Sequence, residues 1–87
     1  MSRVAFVDAG WSDYLYWQLV DKKTLRKINK LLRSIERDGV LAGEGQPEKL
    51  SYRKNEYSRR IDKENRLVYE VADDMIFVKS CKGHYEN

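Results

Sequence analysis

The sequence predicts an α+β domain: an N-terminal strand, a two-helix antiparallel hairpin, and a C-terminal antiparallel β-meander forming a twisted sheet packed on the helices. Three observations carry this prediction. Apolar residues recur every three or four positions between Lys22 and Asp38. After Pro47 the period falls to two. A short apolar run, Val4 to Val7, precedes both.

Arg3 to Val7 reads as the first strand. Asp8 is placed to cap the helix that follows, its carboxylate accepting from the exposed N–H groups of the first turn. That helix covers Ala9 to Val20. Its aromatics, Trp11, Tyr14, Tyr16 and Trp17, surround the helix rather than forming one stripe. Cover on more than one side is therefore expected, from the sheet and from another helix or a partner chain. Asp21 offers a second cap. In the helix from Lys22 to Asp38, Leu25, Ile28, Leu31, Leu32 and Ile35 form a single apolar stripe, with Arg26, Lys30, Arg33 and Arg37 on the opposite face. Gly39 follows the last turn, where a left-handed cap favours glycine.

Val40 to Pro47 is a loop carrying Gly43, Gly45 and the only proline. Leu50 to Tyr52 is a candidate short strand. Tyr57 to Ile61, Arg66 to Val71 and Met75 to Cys81 are stronger strands, rich in Ile, Val, Tyr and Phe. Lys63-Glu64-Asn65 and Ala72-Asp73-Asp74 are the turns between them. The meander thus has three or four strands.

Eighty-seven residues suit one domain, residues 1–87. With 41% hydrophobic and 36% charged residues, the chain has the balance of a globular domain with a densely charged surface. No apolar run approaches the ~20 residues of a membrane span. The first residues do not read as a signal peptide. One cysteine, Cys81, excludes a disulfide scaffold and a multi-cysteine zinc cage. These features predict a cytoplasmic protein without a membrane partner.

The net charge is only +3, yet the basic residues cluster. Seven lie between Lys22 and Arg37 against one acid, Glu36, and seven more between Lys49 and Arg66 against three acids. Such clusters suit a polyanionic partner, or else a solvated helix face with lysines at a sheet edge.

The only histidine is His84, beside Tyr85 in the C-terminal tail. Histidine exchanges a proton readily near neutral pH. Glu48 follows Pro47, which holds the chain extended. No Ser–His–Asp order, Gly-rich phosphate loop or cluster of oxygen ligands is present, and one histidine with scattered acids argues against a bound metal. An acid, a histidine and several arginines suit cofactor-free cleavage of RNA. That reaction needs a base for the 2′-hydroxyl, an acid for the departing 5′-oxygen, and cations for the charge gathering on phosphate.

Strand parity bears on those cations. Arg59 and Arg60 point to opposite faces. A two-residue turn at Lys63-Glu64 would separate Arg60 from Arg66. A three-residue turn at Lys63-Glu64-Asn65 pairs Arg60 with Val68 and puts both arginines on one face. Such a turn wants a left-handed last residue, which asparagine tolerates, so the shared face is favoured.

Six segments then fall together: Trp11 to Trp17, Lys27 to Leu31, Gly43 to Glu48 (Gly-Glu-Gly-Gln-Pro-Glu), Ser58 to Ile61 (Ser-Arg-Arg-Ile), Arg66 to Tyr69 (Arg-Leu-Val-Tyr) and the pair His84-Tyr85. Their order and spacing resemble the YoeB/Txe toxins of the RelE/ParE toxin–antitoxin superfamily, over nearly the whole chain. The resemblance implies a metal-independent ribonuclease that cleaves mRNA in the ribosomal A site, so its partners would be the 70S ribosome with mRNA and a YefM-like antitoxin; homodimers also occur. It implies Glu48 as general base, His84 as general acid and Arg66 as the phosphate-stabilising arginine, with Arg60 and Tyr85 in the same site. The lysine that commonly follows the leucine of the Pro-Glu-Pro-Leu stretch is Ser51 here, with Lys49 and Lys54 as nearby substitutes. A non-catalytic ParE-like toxin and a plain RNA- or ribosome-binding module are the alternatives on the same fold. The acid–base set discriminates, because a pure binder has no need of it.

Overall fold

The computed structural model describes residues 3–51 and 54–83. Seven elements follow one another: β1 (Arg3–Phe6), α1 (Gly10–Val20), α2 (Lys22–Asp38), β2 (Glu48–Lys49), β3 (Glu56–Arg60), β4 (Arg66–Ala72) and β5 (Met75–Ser80). The strands form one sheet in the order β1-β5-β4-β3-β2. β2 to β5 make the antiparallel meander, while β1 joins its far edge parallel to β5. The sheet is therefore mixed, and the two helices carry the chain from β1 at one edge to β2 at the other.

Local chemistry sets the helix ends. Asp21 caps α2: its carboxylate accepts from the Lys23 and Thr24 amides at 3.1 and 3.3 Å and from the Thr24 hydroxyl at 2.8 Å. Gly39 closes the other end with φ 109°. The Thr24 hydroxyl, followed by the amides, holds the Asp21 carboxyl below its ordinary value. A lowered native pKa makes the cap stabilising above the unfolded-state value of about 3.9 and removes that contribution as pH falls through the native value. Asp21→Ala should therefore lower urea stability at pH 7, and the gap from wild type should close toward pH 3. A constant gap across that range would show that ionisation of Asp21 has no part in the cap.

Asp8 does not cap α1 as the sequence predicts. It stands at φ 50°, Ala9 is the N-cap, and no side chain satisfies the first turn. The Asp8 carboxylate instead reaches Lys79 Nζ at 3.4 Å. The reason is a close approach: a Cβ on Gly10 would overlap the Val78 carbonyl, so the helix start presses directly on β5. The strand expected at 50–52 is also displaced. Pairing with β3 occurs upstream at Glu48–Lys49, Leu50 is buried with its N–H donating to the Glu56 carbonyl, and residues 52–53 lie outside the described residues. The β4–β5 turn is a two-residue one, with Asp73 and Asp74 at φ 50° and 63°. Positive φ at both positions matches the twist of a tight hairpin.

The helices cover one face of the sheet. Ile28, Leu31, Leu32 and Ile35 of α2 meet Leu67, Tyr69, Ile76 and Val78 in the core. Trp17 is the one side chain of α1 buried with them, and its indole N–H donates to the Cys81 carbonyl at 2.8 Å. Cys81 is part of this core, where burial pushes its thiol up to about 12 and keeps it protonated at neutral pH. The expected cover over α1 is only half present. Trp11, Leu15, Tyr16, Leu19 and Val20 remain exposed, Leu19 at 88%.

Candidate active site

The face of the sheet turned away from the helices collects the charged residues. Strand alternation sends Tyr57 and Arg59 toward the helices and Glu56, Ser58 and Arg60 outward. Ser58 pairs with Glu48 on one side and Val68 on the other, and Arg60 pairs directly with Arg66. Glu48, Arg60 and Arg66 thus share the outer face. The Glu48 carboxylate stands 3.8 Å from the Arg66 guanidinium, which is only 18% exposed.

The shared face of the two arginines agrees with the sequence reading, but the register and the turn behind it do not. Arg60 pairs with Arg66 rather than Val68, and Asn65 has no positive φ. Both registers keep the same parity, so the faces survive the shift. The turn is built by Asp62 instead. Its carboxylate accepts from the Glu64 and Asn65 amides, both at 2.8 Å, and from the Asn65 side chain at 3.0 Å. Burial pushes the Asp62 carboxyl up, but these hydrogen bonds, from Glu64 and then Asn65, hold it below its usual value. Arg60 Nε donates to the Asp62 carbonyl at 3.3 Å, and Arg60, Asp62, Lys63 and Arg66 line a polar cleft.

The chain approaching the C-terminus is tied at two points. The Cys81 amide donates to the Asp13 carboxylate at 3.0 Å, and the Cys81 carbonyl accepts from Trp17. Two residues on, the Gly83 amide donates to the Asn65 side chain at 2.8 Å, and the Gly83 carbonyl accepts from the Arg66 amide at 3.0 Å. His84 and Tyr85 follow directly in sequence and lie outside the described residues.

The remaining cations are spread out. Lys49 is on the opposite side of its strand from Glu48, with its ammonium 5.8 Å from the Tyr57 ring centre. Strand parity thus turns it away from Arg66. Lys54 is exposed in the turn before β3. On α2, Arg26, Lys30, Arg33 and Arg37 are exposed as expected. Part of this face is answered by acids: Lys30 stands 4.0 Å from Glu44, and Arg37 stands 2.9 Å from Asp38 and 3.7 Å from Glu44.

Two clusters had no place in the sequence reading. Lys79, at the irregularity where β5 shifts register against β4, lies 3.4 Å from Asp8, 3.4 Å from Glu56 and 3.8 Å from Glu70. Burial works against its charge, but the surrounding carboxylates, Glu56 first, raise its pKa. The other is Arg59, fully buried next to the exposed Arg60.

A family model described as the YoeB-like toxin of bacterial type II toxin-antitoxin system matches residues 6–85. The chain belongs to this family. It is 45% identical over 85 residues to Toxin YoeB of Synechocystis sp., covering 97% of this chain and 98% of that one. The fold agrees. The YoeB dimer from Staphylococcus aureus superposes with a TM-score of 0.90 at 50% identity, covering 97% of this chain and 98% of the other. The YoeB-YefM complex from Staphylococcus aureus gives 0.88 at 48% identity, covering 98% and 99%. YoeB-family membership makes this a toxin of a toxin–antitoxin system with an α+β fold.

Proposed function

We propose that this toxin is a ribosome-dependent endoribonuclease that cleaves mRNA in the A site without a metal and so inhibits translation. The observation that carries the reading is the meeting of Glu48 and Arg66, 3.8 Å apart on the outer sheet face, with Arg60 paired to Arg66. In this reading Glu48 takes the proton of a 2′-hydroxyl. The 2′-oxygen attacks the adjacent phosphorus, the bond to the 5′-oxygen breaks, and His84 supplies the proton that oxygen needs. Arg66 holds the charge that builds on the phosphate, with Arg60 positioning the backbone and Tyr85 beside them. The Gly83–Arg66 hydrogen bond supports the placement of His84, because it ties the preceding residue to the arginine.

The test is to incubate the protein with mRNA-programmed ribosomes, and with the same mRNA free, and to map the ends. Cleavage in the A-site codon leaving a 2′,3′-cyclic phosphate, with the free mRNA intact, is expected. Intact mRNA alongside blocked growth would favour a binding-only toxin of the ParE kind.

The same reading places the protein in the cytoplasm, where ribosomes are. Its other partners are a YefM-like antitoxin and a second copy of the toxin, in line with the Staphylococcus aureus assemblies. The exposed stripe of α1 supports such a partner, since Trp11, Leu15 and Leu19 recur at four-residue spacing along one side. The basic face of α2 is proposed to grip ribosomal RNA, with Lys54 as a further contact. Reversing Arg26 and Arg33 to Glu should weaken ribosome binding and flatten the log–log salt slope by about one per lost phosphate contact. An unchanged slope would mark the face as merely solvated.

A further inference from the structure

Arg59 is buried to 0% exposure, yet its side chain is not spent on an ion pair at the surface. An arginine carries five N–H donors. Here they meet six acceptors. Nε donates to the Tyr69 hydroxyl at 3.0 Å; Nη1 donates to Ser34 Oγ at 3.2 Å and to the Glu44 carbonyl at 2.8 Å. Nη2 reaches the carbonyls of Gly39, Val40 and Ala42 at 2.8, 3.3 and 2.6 Å. Four of these acceptors are backbone carbonyls of the segment that leaves α2 and leads to Glu48.

That segment has no regular structure of its own, and carbonyls turned inward need partners. The guanidinium supplies them at one point. The neighbours reinforce it. Ser34 Oγ also accepts from the Glu44 amide at 2.9 Å and donates to Asp38 at 2.9 Å, and the Tyr69 hydroxyl donates to the Val40 carbonyl at 2.7 Å. Gly45, at φ +87°, then passes so close to Arg59 that an added Cβ would stand 3.1 Å from the Arg59 Cβ and 2.7 Å from Leu31 Cδ2. Its carbonyl accepts from the Arg60 amide at 2.6 Å. Three residues later Glu48 pairs with Ser58 in a strand only two residues long.

We infer that Arg59 is a positioning residue for Glu48: from inside the core it fixes the loop that delivers the carboxylate to Arg66. The inference rests on the proposed ribonuclease reading. It gives the adjacent arginines of β3 separate tasks, since strand parity turns Arg59 to the loop and Arg60 to the outer face. Lysine at 59 would keep the charge but lacks the planar fork that reaches several carbonyls at once. A small misplacement of a reacting group is enough to cost on the order of 10²-fold in rate.

The experiment is a double-mutant cycle of Arg59→Lys and Glu48→Gln, read as single-turnover mRNA cleavage at saturating ribosomes, with ribosome affinity measured alongside. Arg59→Lys is expected to lower the rate about 10- to 100-fold in the wild-type background with affinity unchanged, and less than about 2-fold in the Glu48→Gln background. Equal losses in both backgrounds, or no loss in the first, would overturn the positioning role, because a structural role that merely lowers the folded fraction acts alike in both. Should Arg59→Lys fail to fold, Tyr69→Phe removes one acceptor of the Arg59 network without disturbing charge, and the same cycle decides. Wild-type cleavage by Glu48→Gln alone would also overturn it, by removing Glu48 as the base, whereas intact mRNA with the wild-type toxin would sink the ribonuclease reading itself.

Discussion

Replacing Arg66 with alanine should lower mRNA cleavage by about 10²–10³-fold, the cost typical of losing one preorganised partner of transition-state charge. The side chain is well placed for that role. It is largely buried, stands 3.8 Å from Glu48, and comes from the first residue of a central strand, β4. Charge interactions strengthen where water is excluded, so a guanidinium here acts more strongly on phosphate than one on the surface. Alanine would also leave the Glu48 carboxylate without this counter-charge. Arg66→Lys should recover only part of the rate, since an ammonium cannot present two parallel N–H groups to phosphate oxygens. Arg60→Ala should cost less. Single-turnover rates on programmed ribosomes separate the three variants, and a wild-type rate for Arg66→Ala would remove Arg66 from the chemistry.

How far the sequence foretold this arrangement depends on the range of the interactions involved. α2 was legible to the residue, Lys22 to Asp38, because its stripe, its cap at Asp21 and its stop at Gly39 are all local signals. The parity of β3 and β4 was legible too, since alternation runs through Arg60 and Arg66 whatever the turn. The turn was not. Asn65 serves through its side chain, linking Asp62 to Gly83, and an asparagine that joins two distant segments looks in sequence like one that tolerates a left-handed backbone. Asp8 was misread for a related reason. Its partner, Lys79, is brought to it by the parallel pairing of β1 with β5, which no local pattern announces.

Arg59 shows a signal that was present and not followed. It lies between Tyr57 and Ile61 at two-residue spacing, and both of those face the core side. Alternation alone therefore put an arginine inside. The acceptors that make such burial tolerable lie in the 39–44 segment, whose path is not encoded by any period. Lys49 is the converse case. It stood with Lys54 as a substitute for the lysine that Ser51 replaces, whereas adjacent residues of a strand face opposite ways and Lys49 turns from Glu48 toward Tyr57.

His84→Ala should produce the largest loss, about 10²–10⁴-fold in cleavage, the range for a positioned proton donor or acceptor. The chain carries no other histidine to take over. The geometry leading to residue 84 supports the role. Cys81 is held to α1 through both its amide and its carbonyl, and Gly83 is held to Asn65 and to the Arg66 amide. Four hydrogen bonds thus fix Cys81 and Gly83 just ahead of the histidine, two of them at the strand end that bears Arg66. Proton donation to the leaving 5′-oxygen requires the imidazolium, so the wild-type rate should fall as pH rises through the titration of His84, and that limb should vanish in the alanine variant. Folding and antitoxin binding should persist, because Ile28, Leu31, Leu67, Tyr69 and Val78 already form a core among the described residues. A variant that folds, binds antitoxin and still cleaves at the wild-type rate with the basic limb intact would assign the proton transfer to another group.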